Sequence, residues 1–145
     1  MARHGANEEA TTAYGGARVS AQRAELARAA AAMGIAFTVD DLVAAVARDG
    51  RRPSLATAYR GVRAMVSSGY LERIGERDGR ALYACCGADE HHHHLMCTSC
   101  GAVAETACPL GADVTGEAAR AGFVLTGHDV VLYGLCRACA AGRGV

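Results

Sequence analysis

Lysine is absent from this chain: all 15 of its basic residues are arginine. No run of 18 apolar residues occurs, which excludes a membrane-spanning helix. The opening MARHGANEEATTAYGG carries acids, glycine and threonine where an export leader would place an apolar core. A cytoplasmic location with no membrane partner is therefore expected. Also missing are HExxH, a nucleophile elbow, and an HxE with a downstream PCxxC, so no enzymatic constellation is legible and no small-molecule substrate is expected. Net charge is +0, but it is unevenly spread. Residues 1–84 hold 12 arginines against 9 acids, and residues 85–145 hold 3 against 6. Arginine suits bidentate contact with phosphate and guanine, although high-GC codon usage gives the same bias.

What the chain does have is metal ligands, concentrated in its second half. His91-His92-His93-His94 is followed by Cys97-Thr98-Ser99-Cys100, and much later by Cys136-Arg137-Ala138-Cys139. Two CxxC turns supply the four sulfurs that tetrahedral zinc prefers, so Cys97, Cys100, Cys136 and Cys139 are read as a structural zinc site. A half-chain of ~60–80 residues is marginal without such a staple. Seven cysteines, in a chain read as unexported, favour metal chemistry over a disulfide framework. Gly101 and Gly134, beside the two pairs, are expected to provide tight backbone turns.

The first half has helical periodicity. Residues 1–17 show none and read as a flexible tail. From Ser20 to Gly34 the apolar spacing predicts a first helix with Ser20 as N-cap. Thr38 caps a second helix, which ends at Asp49-Gly50, and Ser54 caps a third, which closes at Gly69. The third helix carries Thr57, Tyr59, Arg60 and Arg63 on its outer face, and Gly61 weakens it by about 1 kcal/mol relative to alanine. Tyr70–Ile74 and Ala81–Ala84 flank an Asp78-Gly79 hairpin turn. Three helices and a hairpin make a winged helix. Its third helix would enter a major groove of double-stranded DNA while Arg73, Arg77 and Arg80 of the wing rest on phosphate. An ordinary solvated face would give the same charge pattern.

The second half reads as a small unit with short β-type runs at His91–Met96, Ala102–Thr106, Phe123–Thr126 and Val130–Leu135 and a helix at Asp113–Ala121. The fold class is thus α+β: a winged-helix domain at 18–84, a hinge at 85–90, a metal-binding domain at 91–140 and a tail at 141–145. If the histidine run is extended, His91 and His93 serve one face and His92 and His94 the other. Cys85, Cys86, Asp89 and Glu90 are the nearest further donors in sequence.

Four segments in order, Arg18-Val19-Ser20-Ala21-Gln22-Arg23, Leu55-Ala56-Thr57-Ala58-Tyr59-Arg60, His91 through Cys100-Gly101, and Gly134-Leu135-Cys136 through Cys139, together resemble the ferric uptake regulator superfamily. The resemblance spans residues ~18–140 and implies a homodimeric, metal-dependent repressor whose second half dimerises. It places DNA contacts at Arg18, Thr57, Tyr59 and Arg60. Its zinc-uptake branch implies a regulatory zinc at Glu72, Cys86, His92 and His94, with Cys85 as the alternative thiol. A thiolate there favours zinc over iron or manganese. A second regulatory site would use His91, His93 and His128. Its acid is expected near Ala112, where Asp113 stands one residue on, with Cys108 as an alternative donor. Ala58 and Gly61 depart from the larger residues usual in the recognition helix. The function expected is zinc-dependent repression of zinc uptake genes. The alternatives are an iron- or peroxide-responsive regulator of the same superfamily or, from another class, a zinc enzyme, a CxxC oxidoreductase or a metal store.

Overall fold

Three helices begin where a hydroxyl side chain can take up an orphan amide. In the computed structural model, which describes residues 10–48, 50, 52–86, 92–111 and 113–143, Ser20 caps α1 (Ala21–Met33), Thr38 caps α2 (Val39–Ala47) and Ser54 caps α3 (Leu55–Ser67). Each accepts a hydrogen bond from the amide three residues on, and this satisfies a group that the helix leaves unpaired. At α2 the exchange is reciprocal, because the Asp41 carboxylate accepts from the Thr38 amide at 2.9 Å. Burial opposes ionisation of Asp41, yet the Thr38 amide and hydroxyl, with Arg77 beside them, hold its carboxyl below the usual range. Gly34 ends α1 at φ 61°, the left-handed turn that glycine tolerates best.

The chain then enters a hairpin of β1 (Leu71–Arg77) and β2 (Arg80–Cys85). Asp78 and Gly79 both have positive φ, 52° and 74°, as a type I′ turn requires. A shift in pairing between Arg73 and Gly75 leaves Ile74 as an extra residue on β1, which bends the wing. Phe37 joins the edge of the hairpin through two backbone bonds with Tyr83, at 3.0 and 2.8 Å.

The chain divides into two compact units, Met1–Gly87 and Ala88–Val145. In the first, Leu26, Ala27, Ala30, Phe37, Leu42, Val43, Ala58, Val62, Met65 and Leu71 form one apolar cluster. Residues 10–17 correct the expectation of a flexible tail over 1–17. A helical turn over 10–13 buries Ala10, Ala13 and Tyr14 in that cluster. Tyr14 donates its hydroxyl to the Arg23 carbonyl at 3.1 Å and lies under the Arg23 guanidinium. Burial pushes its phenol up to about 12, against the opposing charge of Arg23. Ser68 ties the same turn to α3 by donating to the Ala13 carbonyl at 2.7 Å. No amphipathic period announces so short a segment; its core contact is tertiary. Replacing Tyr14 by alanine is expected to destabilise this unit by ~3 kcal/mol, the low end for removing a buried aromatic side chain, and thermal melting checks it.

The same contacts explain Gly61. A Cβ there would stand 2.8 Å from Leu26 Cδ1 and 3.3 Å from the Tyr14 hydroxyl. Ala58 is likewise fully buried. Both small residues of α3 therefore face the core, where α1 and the N-terminal turn approach closely.

The second unit is a three-stranded sheet in the order β4-β3-β5, with β3 (His93–Cys97) central, β4 (Val103–Thr106) antiparallel and β5 (Val131–Gly134) parallel to it. Two short helices accompany it, α4 (Val114–Arg120) and α5 (Arg137–Arg143). Residues 141–143 belong to α5, which corrects the expected tail at 141–145 for those residues. Phe123–Thr126, expected as a strand, pairs with no strand among the described residues. Phe123 is 72% exposed and Val124 90%; an apolar β-prone run takes strand form only where a ladder partner is available. The only buried residues described in this unit are His93, His94 and Cys97.

Candidate metal centre and nucleic-acid face

Parallel pairing of β3 and β5 is what brings the two CxxC turns together. Cys97 sits opposite Gly134, so both strands run toward the same edge and each leads there into a cysteine pair. Thr98 donates its amide and its hydroxyl to the Gly134 carbonyl at 2.8 and 3.2 Å. Gly101 follows Cys100 with φ 75° and closes its turn back onto the Cys97 carbonyl at 2.9 Å. Gly134, also expected to serve a tight turn, is instead extended within β5, with open space where a Cβ would stand.

The sulfurs of Cys97, Cys100, Cys136 and Cys139 all lie within 4.8 Å of one another. Cys100 and Cys136 are 3.7 Å apart. That is far beyond a disulfide bond but close to the ~3.8 Å edge of a tetrahedron with Zn–S of ~2.3 Å. Amides of Cys136, Cys100 and Ser99 point at Cys97 and lower its pKa to about 6. The Ser99 hydroxyl favours the Cys139 thiolate, but the neighbouring sulfurs of Cys136, Cys100 and Cys97 outweigh it and push that thiol up to about 12. One thiolate is favoured here and further ones resist, a charge conflict that a divalent cation removes. The donor set fits zinc.

At the opposite end of β3 a second cluster forms. His93 opens the strand; Cys108 follows the end of β4, and His128 precedes β5. Their ligand atoms lie within 4.8 Å of one another. Cys108 Sγ is 3.2 Å from His128 Nε2, and the His93 and His128 rings are 5.0 Å apart. The Val130 amide donates to His93 Nδ1 at 3.2 Å, fixing the ring's orientation. Asp113, expected as the acid here, lies elsewhere: it accepts from Arg120 at 3.1 Å and is 78% exposed. His91 and Ala112, like the hinge residues 87–90, lie outside the described residues.

The remaining candidate ligands fall into two pairs, one on each unit. On the first, the Cys86 thiol donates to Glu72 Oε2 at 3.5 Å. Cys85 instead packs against the apolar cluster, so of the two adjacent cysteines it is Cys86 that meets the carboxylate. On the second, the His92 and His94 rings meet edge to face at 5.2 Å, and His92 Nε2 is 3.8 Å from Glu105. Alternation along the strand thus sets His92 and His94 together and turns His93 toward Cys108 and His128.

On α3, Ala58, Gly61, Val62 and Met65 are buried, while Tyr59, Arg60 and Arg63 are exposed. Thr57 accepts from Arg60 at 3.3 Å. Tyr59, Arg60, Arg63, Arg73 and Tyr83 line a groove of about 350 Å³ between α3 and the wing. Arg18 is exposed ahead of α1. The wing arginines already have partners: Arg73 with Glu76, Arg77 with Asp41, and Arg80 with Asp40 at 3.5 Å. Sequence reading missed these pairs because two of the three acids sit on α2. Exposed pairs of this kind hold by at most ~1 kcal/mol, so phosphate can compete for them.

A winged helix joined to a small sheet with a four-thiol metal centre defines a metal-responsive DNA-binding regulator rather than an enzyme. Residues 14–133 match the ferric uptake regulator family, and the chain belongs to it. It is 36% identical over 108 residues to the ferric uptake regulation protein of Bordetella parapertussis, covering 74% of this chain and 77% of that one. It is 30% identical over 125 residues to the zinc uptake regulation protein of Mycobacterium tuberculosis, covering 86% and 95%. Among solved structures, a zinc uptake regulator complexed with zinc and DNA shares the fold at TM-score 0.76 and 24% identity, over 97% of this chain and 95% of that one. No helix among the described residues is long and apolar enough to cross a membrane.

Proposed function

We propose that this regulator is a cytoplasmic, homodimeric repressor of zinc uptake genes with zinc as its co-repressor. The observation that carries the choice of metal is the Cys86 thiol against the Glu72 carboxylate, since a thiolate ligand favours zinc over iron or manganese. The zinc-named relative, aligned over 125 residues, supports it. Glu72 and Cys86 would hold an exchangeable zinc from one unit and His92 and His94 from the other, as the resemblance implies, and its chemistry there is that of a removable cross-link. Two recognition helices of a dimer must meet the major groove about one turn (~34 Å) apart, so restraint of the DNA-reading arm governs affinity. The Bordetella relative favours a second reading, in which iron is the effector. Gel shifts on duplexes selected from random sequence by the metal-loaded protein, run with zinc, iron and manganese, separate the two readings. Binding promoted by zinc at the lowest free concentration supports the first, and iron alone promoting it overturns it.

Within this reading Arg18, Thr57, Tyr59 and Arg60 contact the operator. Tyr59→Ala and Arg60→Ala are each expected to weaken binding by ~1–3 kcal/mol without changing metal content; a wild-type footprint from both would remove α3 as the reader. Dimerisation is assigned to the second unit, as the resemblance implies, and Phe123, Val124 and Tyr133 are each exposed there. A Val124→Asp chain is expected to sediment as a monomer at concentrations where the parent is a dimer.

A further inference from the structure

We propose that Arg23 and Arg63 grip a backbone phosphate of the operator on the α1 side of α3, and that this flank, rather than the wing, supplies the main sequence-independent hold of the first unit on DNA. The arginines around α3 differ in their partners. Those of the wing are answered by carboxylates: Arg73 by Glu76, Arg77 by Asp41 and Arg80 by Asp40. A phosphate can displace such a carboxylate, but the displaced acid stays close by and opposes the new contact. On the other flank no acid answers. Arg23, Arg60 and Arg63 line a groove of about 560 Å³ with Tyr14, Ser67 and Ser68, and no carboxylate stands in its wall. None of the three arginines forms an ion pair among the described residues. Arg60 and Arg63 stand three apart on α3, where like charges are neighbours and repel. An anion in the groove turns that repulsion into attraction. Arg23 is held ready for it. Its guanidinium lies 5.3 Å from the centroid of the Tyr14 ring, and the Tyr14 hydroxyl is anchored on the Arg23 carbonyl at 3.1 Å. Stacking occupies the flat face of a guanidinium and leaves free the N–H edge that meets phosphate oxygens. Arg60 also lines the groove between α3 and the wing, so a phosphate held here lies beside the residues assigned to base reading. Such a contact positions the helix and carries no sequence information. The proposal rests on α3 as the helix that reads the operator.

The test is the salt dependence of binding, read by fluorescence anisotropy between ~50 and ~200 mM salt. The full chain, loaded with the metal that the gel shifts select, is titrated onto a selected duplex and onto a scrambled duplex of the same length. Arg63→Gln should flatten the plot of log K against log salt by roughly 0.9 per bound chain and weaken binding to both duplexes by the same factor, so that their ratio is unchanged. Arg23→Gln should do the same, and Arg23→Lys should restore the slope, which a purely structural role for Arg23 beside Tyr14 would not require. Removing a wing pair whole, Asp40→Asn with Arg80→Gln, should leave the slope close to the parent's. A parental slope in Arg63→Gln overturns the grip, and so does a loss of slope on removal of the wing pair as large as that in Arg63→Gln. Failure of α3 as the reader has a different signature: a wild-type footprint from Tyr59→Ala and Arg60→Ala, whatever the salt slope.

Discussion

A Cys97→Ser chain is expected to lose the structure of the second unit while the first stays folded. The reason is the near absence of an apolar core: the buried residues described there are His93, His94 and Cys97, two imidazoles and a thiol. Leu95, Leu132, Phe123 and Val124 all lie at least partly in solvent in the single chain, so burial within one chain cannot offset the chain entropy of roughly 1–2 kcal/mol per ordered residue. A structural zinc contributes an apparent ~10–16 kcal/mol at neutral pH in small metal-folded domains, which is the scale required. Cys97 is the strongest choice for the substitution because it is the sulfur best set up as a thiolate, receiving the Cys136 amide at 3.3 Å. Amide exchange read residue by residue is the measurement. Protection should vanish across β3, β4 and β5 and persist across α1 to β2, and a strong chelator should reproduce the pattern in the parent chain. Native protection in β3 with no zinc bound would show that the thiols are not the staple.

Cys86→Ser is expected to leave both units folded and zinc-loaded at the four-cysteine site, yet to abolish the metal dependence of operator binding. Allosteric couplings of ~1–3 kcal/mol correspond to ratios of about 5–150 between loaded and stripped protein, and in this variant the ratio should fall to near one. Cys85→Ser is the matched control. Its side chain packs against the apolar cluster of the first unit, so it should cost some stability and leave the ratio intact. Binding isotherms at several free zinc concentrations decide it: an undiminished ratio in Cys86→Ser would show that this thiol is not part of the sensor.

Much of this fold is legible in the sequence alone. Ser20, Thr38 and Ser54 announced the helix starts, because a capping hydroxyl is a local device that depends on nothing distant. Asp78-Gly79 announced the wing for the same reason. Ligand spacing singled out the four cysteines, and strand alternation separated His93 from its neighbours. What escaped was tertiary. The turn over 10–13 is too short to show a period, and its burial depends on α1 and α3 supplying the surface. Gly61 reads as a weakened helix until Leu26 is seen occupying the space of its missing side chain. The wing arginines read as free positive charge until α2 brings Asp40 and Asp41 beside them. Whether Asp113 or Cys108 joins the histidines is decided by how the segment after β4 curls, about which the spacing of neither residue is informative.

The scarcity of apolar contacts around β3 bears on more than its stability. Ordinarily a strand is kept from slipping against its neighbours by the alternation of greasy and wet faces, since a one-residue slide would turn the whole inner face outward. Here that safeguard is thin, and the four-cysteine cluster at the end of β3 takes its place: any slide pulls Cys97 away from Cys136 and Cys139. Stripped of metal, such a sheet has little to forbid misaligned pairing, within the molecule or between molecules. Metal starvation would then threaten this regulator with aggregation as well as with release from its operator.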